Sequence, residues 1–134
     1  MKPAKHANSR PAQHWVPFRD DRAECRLCPR HCRPKNNRMG FCGVRGSLNG
    51  EFRTFNFGQS LAATEEIIET EAVNHFSPGA RILSMGNVGC MMACSFCQNW
   101  ETSQVKHLDY SQVRHYQPQE LVDICLANHI PIIS

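Results

Sequence analysis

The chain has 134 residues, of which 41% are hydrophobic and 20% charged, with a net charge of +3. That is enough for one modest domain with a buried core. No apolar run approaches the roughly 20 residues of a membrane span. The opening "MKPAKHANSRPAQHW" is basic without the apolar stretch of a secretory signal, so the expectation is a cytoplasmic protein that does not engage a membrane.

The charge is uneven. Residues 1–53 carry twelve Lys and Arg against four Asp and Glu, while residues 54–134 carry three against eight. A basic first third can signal an anionic partner, nucleic acid included. Here the arginines surround a cysteine cluster and form no stripe of their own, so a solvated surface is the better reading and nucleic acid is disfavoured.

In chain order, residues 1–14 are polar and broken by Pro3 and Pro11, which predicts a disordered tail. "WVPFRDDRA" starts apolar and turns through Asp20-Asp21, which predicts a short hairpin leading into the first cysteine. Residues 15–50 predict a four-cysteine metal module. Its core, "CRLCPRHCRPKNNRMGFCGVR", spaces Cys25, Cys28, Cys32 and Cys42 as C-x2-C-x3-C-x9-C. Four thiolates this close make a closed site, and tetrahedral zinc and a fully ligated iron–sulfur cluster both fit. His31 is a possible ligand, redundant beside four cysteines. Arg26, Arg30, Arg33, Lys35 and Arg38 would offset the negative charge of the thiolates. Gly40, Gly43 and Gly46 mark tight turns. A nucleic-acid-binding zinc knuckle is a weaker reading, because Phe41 alone offers stacking surface within the module.

Residues 51–79 read as a connecting segment. "EFRTFNF" predicts a strand, "TEEIIETEAV" is helical by composition, and Ser77-Pro78-Gly79 is a turn. Residues 80–134 follow the order strand, cysteine loop, helix, strand. "ARILSMGNVG" is the first strand. "QPQELVDICLANHI" is an amphipathic helix with Leu121, Ile124 and Cys125 on one face. "IPIIS" starts a second strand. That order is a βαβ unit and predicts an α/β fold with a parallel sheet. Ile130, Ile132 and Ile133 have no obvious partner strand, so the chain is expected to be part of a longer protein, with little or no catalysis of its own.

All eight cysteines but Cys125 fall into two clusters, and such spacings favour metal over disulfides where no secretory signal is present. The second cluster lies in "GCMMACSFCQNW", where Cys90, Cys94 and Cys97 are spaced C-x3-C-x2-C. A four-iron cube is usually held by four thiolates. Three would leave one iron open to a substrate or cofactor, by the same logic that leaves an open position on a catalytic zinc. Gly89, Ala93 and Ser95 are small enough for the backbone to approach the sulfides. Zinc completed by a distant histidine, or three unrelated buried thiols, are the competing readings.

This spacing, after a strand and with Phe96 just before the last cysteine, resembles the signature of the radical S-adenosylmethionine superfamily. "CRLCPRHC", "GFCGVR", "HFSPGARILSMGNVGC" and "CQNWETSQ" together resemble the AmmeMemoRadiSam system radical S-adenosylmethionine enzymes, and more broadly the activases of glycyl-radical proteins such as pyruvate formate-lyase. The resemblance runs from about Trp15 to the last residue. The family's Pro-Ile-Glu-Lys-Lys-Pro-Leu word is replaced here by "IIETEAVNHF", which keeps Glu69 and lacks the lysines and prolines. The resemblance implies the N-terminal portion of a partial TIM-type (β/α) barrel preceded by a small cysteine-rich module. It implies a [4Fe-4S] cluster on Cys90, Cys94 and Cys97, with Phe96 near the adenine of S-adenosylmethionine. It also implies a flavodoxin- or ferredoxin-like electron donor, reductive cleavage to a 5′-deoxyadenosyl radical, and hydrogen abstraction from a small molecule or protein.

Other residues have plainer readings. Cys125 is a small core residue on its helix, and Met85, Met91 and Met92 are packing residues. His75 is a structural histidine near a turn. Trp100 is as compatible with a core as with a site, and Glu101, Gln98 and Asn99 are candidates to line the cluster. The competing function is a non-catalytic zinc module that contacts protein or nucleic acid.

Overall fold

The computed structural model describes residues 9–134. Residues 1–8 of the expected disordered tail lie outside the described residues. The chain divides into two compact units, each made of two separate segments. The first comprises the described residues up to Phe57 together with Asn87–Tyr110, and the second comprises Gly58–Gly86 together with Ser111–Ser134.

Two turns organise the first unit. Asp20 (φ 58°) and Asp21 (φ 52°) take the left-handed backbone that Asp tolerates better than most residues. They join β2 (Trp15–Phe18) to β3 (Arg22–Cys25) as an antiparallel hairpin that pairs Trp15 with Cys25. Asn49 (φ 50°) and Gly50 (φ 84°) form a two-residue loop between β5 (Arg45–Leu48) and β6 (Glu51–Thr54). Positive φ at both loop residues matches the twist of the flanking strands. Asn36 and Asn37 brace this turn by accepting the Gly50 and Asn49 N–H groups, each at 3.0 Å. With β1 (Arg10–Pro11) and β4 (Arg38–Met39), the strands form a sheet in the order β1-β6-β5-β4. Ala23, Cys25 and Phe52 are buried together, and the Trp15 and Phe52 rings lie 5.7 Å apart. A one-turn helix, α1 (Trp100–Ser103), and a 3₁₀ turn at Val105–His107 complete the regular elements described in this unit.

In the second unit, β7 (Gln59–Ser60) pairs with β10 (Arg114–His115). A separate three-stranded sheet has the order β11-β9-β8. β8 (Thr64–Ile67) runs antiparallel to β9 (Arg81–Ser84), and β11 (Ile132–Ile133) runs parallel to β9. Between β9 and β11 lies α2 (Pro118–Ala127). Pro118 opens it, and Gln117 and Glu120 close a reciprocal capping box. Its apolar face places Leu121 and Cys125 against Leu83 and Ile130. Ile82, at the centre of the sheet, has no exposed surface.

The expected barrel architecture is not what the chain forms. The described residues make four small sheets of two- to four-residue strands, with one four-residue and one ten-residue α-helix. A (β/α) barrel needs repeated strand–helix pairs around one parallel sheet. Among the described residues only β9 and β11 pair in parallel, and β9 has an antiparallel neighbour on its other edge. The segment "TEEIIETEAV" also departs from its helical composition. Thr64–Ile67 are a strand, and a 3₁₀ turn at Ile68–Glu71 ends on Ala72 in left-handed backbone. The cross-strand bond from Arg81 Nε to Glu65 Oε1, 2.5 Å long, helps hold the extended form. Among the described residues no helix is long and apolar enough to cross a membrane.

Candidate metal centre

The hairpin β2–β3 delivers Cys25 into the core of the first unit. The chain then loops back, so that the Cys25 N–H donates to the Cys32 carbonyl at 2.9 Å. Within this loop His31 N–H donates to Cys28 O at 3.3 Å, with His31 at φ 45°. Glu24 fastens the loop from beneath. Its side chain is 9% exposed and accepts from Arg33 Nε at 2.7 Å and from Arg26 Nε at 3.2 Å. These guanidiniums, Arg33 foremost, hold the Glu24 carboxyl below its ordinary range. A carboxylate with a lowered folded pKa stabilises the fold above the usual carboxylate range and loses that contribution as pH falls through the folded value. Acid titration of folding, followed by circular dichroism, should therefore show a loss of stability that begins as pH falls below about 4.5. Glu24→Gln should flatten that limb while lowering stability at neutral pH.

Cys42 sits in a tight turn where Gly40 N–H donates to Arg45 O at 2.7 Å and Gly43 N–H to Gly40 O at 3.1 Å. Burial pushes its thiol above the ordinary range, partly opposed by the backbone N–H groups of Val44 and Arg45. The neighbouring Cys32 and Cys25 add to the rise. Two more donors point at the sulfurs of the neighbouring cysteines. Phe41 N–H reaches Cys32 Sγ and Arg45 Nε reaches Cys25 Sγ, both at 3.4 Å. Donors of this kind lower the cost of holding anionic thiolates together.

The three-cysteine loop is fastened at both ends. At its start Val88 is 1% exposed, and its carbonyl accepts from Asn56 Nδ2 at 2.8 Å. Gly89 follows at φ 90°, where a Cβ would stand 2.7 Å from both Val44 methyls and 2.9 Å from the Cys42 carbonyl oxygen. The loop therefore packs directly on the four-cysteine module, at a point where only glycine fits. Arg30 adds a second link, since it stacks on Phe41 at 3.5 Å and its Nε donates to the Met91 carbonyl. At the far end Cys97 N–H donates to Cys94 O at 3.2 Å, Cys97 Sγ lies 3.4 Å from Ser103 Oγ on α1, and Trp100 meets His107 edge-on. Between these anchors Met92 and Phe96 are exposed, Phe96 at 88%.

A cavity of about 330 Å³ lies where the two cysteine segments meet. Cys25, Cys28, Cys32, Cys42 and Cys90 all line it. Cys90 also bounds a neighbouring cavity of about 220 Å³, together with Cys42 and Ser103. Spacing alone presents two separate motifs. The structure puts the first thiol of the second motif on the wall of the first, and Gly89 directly before Cys90 is the sequence feature that allows it. Cys94 and Cys97 do not line the larger cavity, and Cys90 Sγ accepts the Met92 N–H at 3.4 Å. Among the described residues no three His, Cys, Asp or Glu side chains converge closely enough to hold a single metal ion as they stand. Cys125 lies in the core of the second unit. The donor set is thiol-rich and carries N–H partners on sulfur, which suits thiophilic metals: zinc and iron–sulfur clusters.

No protein-family model matches the chain, and no solved structure does. Over 125 residues, 93% of the chain, it is 32% identical to uncharacterized protein MJ0808 of Methanocaldococcus jannaschii. The chain spans 37% of the length of that relative.

Proposed function

We propose that the chain carries the cluster-binding part of an enzyme that cleaves S-adenosylmethionine reductively, working in the cytoplasm. The observation that supports this most is the form of the Cys90–Cys97 loop. Three thiols at C-x3-C-x2-C spacing are anchored at Gly89 and α1, while the residues between face solvent. An anchored loop with an open face suits a cluster that must keep one iron accessible.

Cys90, Cys94 and Cys97 would ligate three irons of a [4Fe-4S] cluster. When bound, that cluster would pass one electron from a reduced flavodoxin- or ferredoxin-type donor to the sulfonium of S-adenosylmethionine, whose S–C5′ bond breaks to methionine and a 5′-deoxyadenosyl radical able to take hydrogen from a small molecule or protein. The exposed Phe96 ring offers an apolar face for the adenine. Met92 N–H donates to Cys90 Sγ, and Ser103 Oγ lies against Cys97 Sγ. Such contacts stabilise thiolate charge and tune the potential.

The test is anaerobic reconstitution with iron and sulfide, followed by electron paramagnetic resonance of the dithionite-reduced chain. The expected result is a four-iron signal that changes shape when S-adenosylmethionine is added and disappears in the Cys90→Ser/Cys94→Ser/Cys97→Ser variant. A colourless protein that takes up zinc alone, or a signal indifferent to S-adenosylmethionine, would sink the proposal and favour a zinc module.

A further inference from the structure

We propose that Arg30 is a positioning residue that couples metal uptake at the two cysteine motifs, so that filling the four-cysteine module prepares the Cys90–Cys97 loop to bind. The inference rests on both motifs being metal sites. It depends neither on which metal each holds nor on the radical chemistry proposed for the loop.

Arg30 lies inside the first motif, between Cys28 and Cys32. Its guanidinium stands over the ring of Phe41, the neighbour of Cys42, at 3.5 Å from the centroid. Its Nε donates to the carbonyl of Met91, between Cys90 and Cys94. One exposed side chain thus links three cysteine-bearing stretches. A planar guanidinium can stack on a ring and donate from its edge at the same time. The stack on Phe41 sets the direction of Nε, and Nε in turn sets the place of the Met91 carbonyl. A lysine ammonium, a point charge on a flexible stem, cannot do both.

A second contact brackets Cys90 from the other side. Gly89 rests on the Val44 methyls and the Cys42 carbonyl, and Cys90 itself lines the cavity of the four-cysteine module. Farther along the loop, Met92 and Phe96 are exposed.

Among the described residues no three His, Cys, Asp or Glu side chains converge on one point. Whatever group each motif holds, its thiols must be drawn in at a cost in chain entropy. A group held by Cys28, Cys32 and Cys42 restrains both the loop that carries Arg30 and the ring on which Arg30 stacks. The Met91 carbonyl then meets a fixed donor, and the Cys90–Cys97 loop has less freedom left to lose when it binds. Linkage makes the effect reciprocal, so metal at the loop tightens the module by the same factor.

The test uses the full chain without oxygen. One equivalent of zinc, which four thiolates hold in preference to three, fills the module and is spectroscopically silent. Cobalt(II) is then titrated into the loop and followed by its thiolate charge-transfer absorbance. Cobalt should bind at least about fivefold more tightly there than in the Cys28→Ser/Cys42→Ser chain. In Arg30→Met and Arg30→Lys backgrounds that ratio should fall to about one. The denaturant midpoint of the metal-free chain should stay where it was, because Arg30 is exposed and lies outside the core of Ala23, Cys25 and Phe52. Hydrogen exchange needs no cysteine variant: zinc should slow the amides of residues 91–96 in the unsubstituted chain and leave them unchanged in Arg30→Met. A ratio near one before substitution, a ratio that survives both Arg30 variants, or a loop that takes up no cobalt in any of these chains would overturn the proposal. Failure of the radical reading looks different: the coupling would persist while S-adenosylmethionine left the reconstituted chain's spectrum unchanged.

Discussion

Gly89→Ala should lower the stability of the chain by about 2–5 kcal/mol in a denaturant titration. Two costs add. At φ 90° an L side chain is strained, worth about 1–2 kcal/mol. The new methyl would also stand 2.7 Å from the Val44 methyls and 2.9 Å from the Cys42 carbonyl oxygen, and overpacking of this kind costs about 1–3 kcal/mol. Val44 is a short, buried side chain and the carbonyl belongs to the backbone, so neither can swing away cheaply. Relief requires the Cys90 segment to lift off the four-cysteine module. The loss of stability should exceed that of Gly79→Ala, where φ is also positive but a Cβ meets no neighbour. Equal losses in the two variants would show that strain alone, and not the close approach, governs the position.

Ile82→Ala should cost about 2–5 kcal/mol, the range for truncating a buried aliphatic residue. Ile82 has no exposed surface and sits mid-sheet, paired with Glu66 on β8 and with Ile132 on β11. The two-stranded edges cannot collapse into the gap without losing register, so the cavity term should persist. Ile82→Val, which removes one methylene, should cost about 0.5–1.5 kcal/mol. Thermal or denaturant melts of both variants check the ratio. A small loss for alanine would mean that the sheet repacks around the vacancy.

Much of the local structure was legible in the residues. Asp20-Asp21 marked the hairpin that delivers Cys25, and Gln117, Pro118 and Glu120 opened a helix whose apolar face carries Leu121 and Cys125. Asn49-Gly50 is an equally strong hairpin signal and predicts the β5–β6 turn on its own. What failed was long-range. A strand, a helix and a strand in order suggest a barrel, but the pattern says nothing of the other edge of β9. There β8 pairs antiparallel, held by Arg81 to Glu65. Extended Thr64–Ile67 illustrates how cross-strand partners override composition. The two cysteine motifs were visible as motifs, but their meeting around one cavity was not, because it depends on Gly89 packing against Val44 and Cys42.

The chain builds its first unit in two visits, with residues 58–86 assigned elsewhere in between. On a ribosome adding about 5–20 residues per second, Cys42 emerges roughly 2–10 s before Gly89. During that interval Cys25, Cys28, Cys32 and Cys42 lack the wall that Gly89 to Met91 later supplies. Newly made thiols in this state are open to oxidants and to whichever thiophilic ion is most available. The order in which the chain is made thus leaves four thiols bare for a time before the segment that walls them is synthesised.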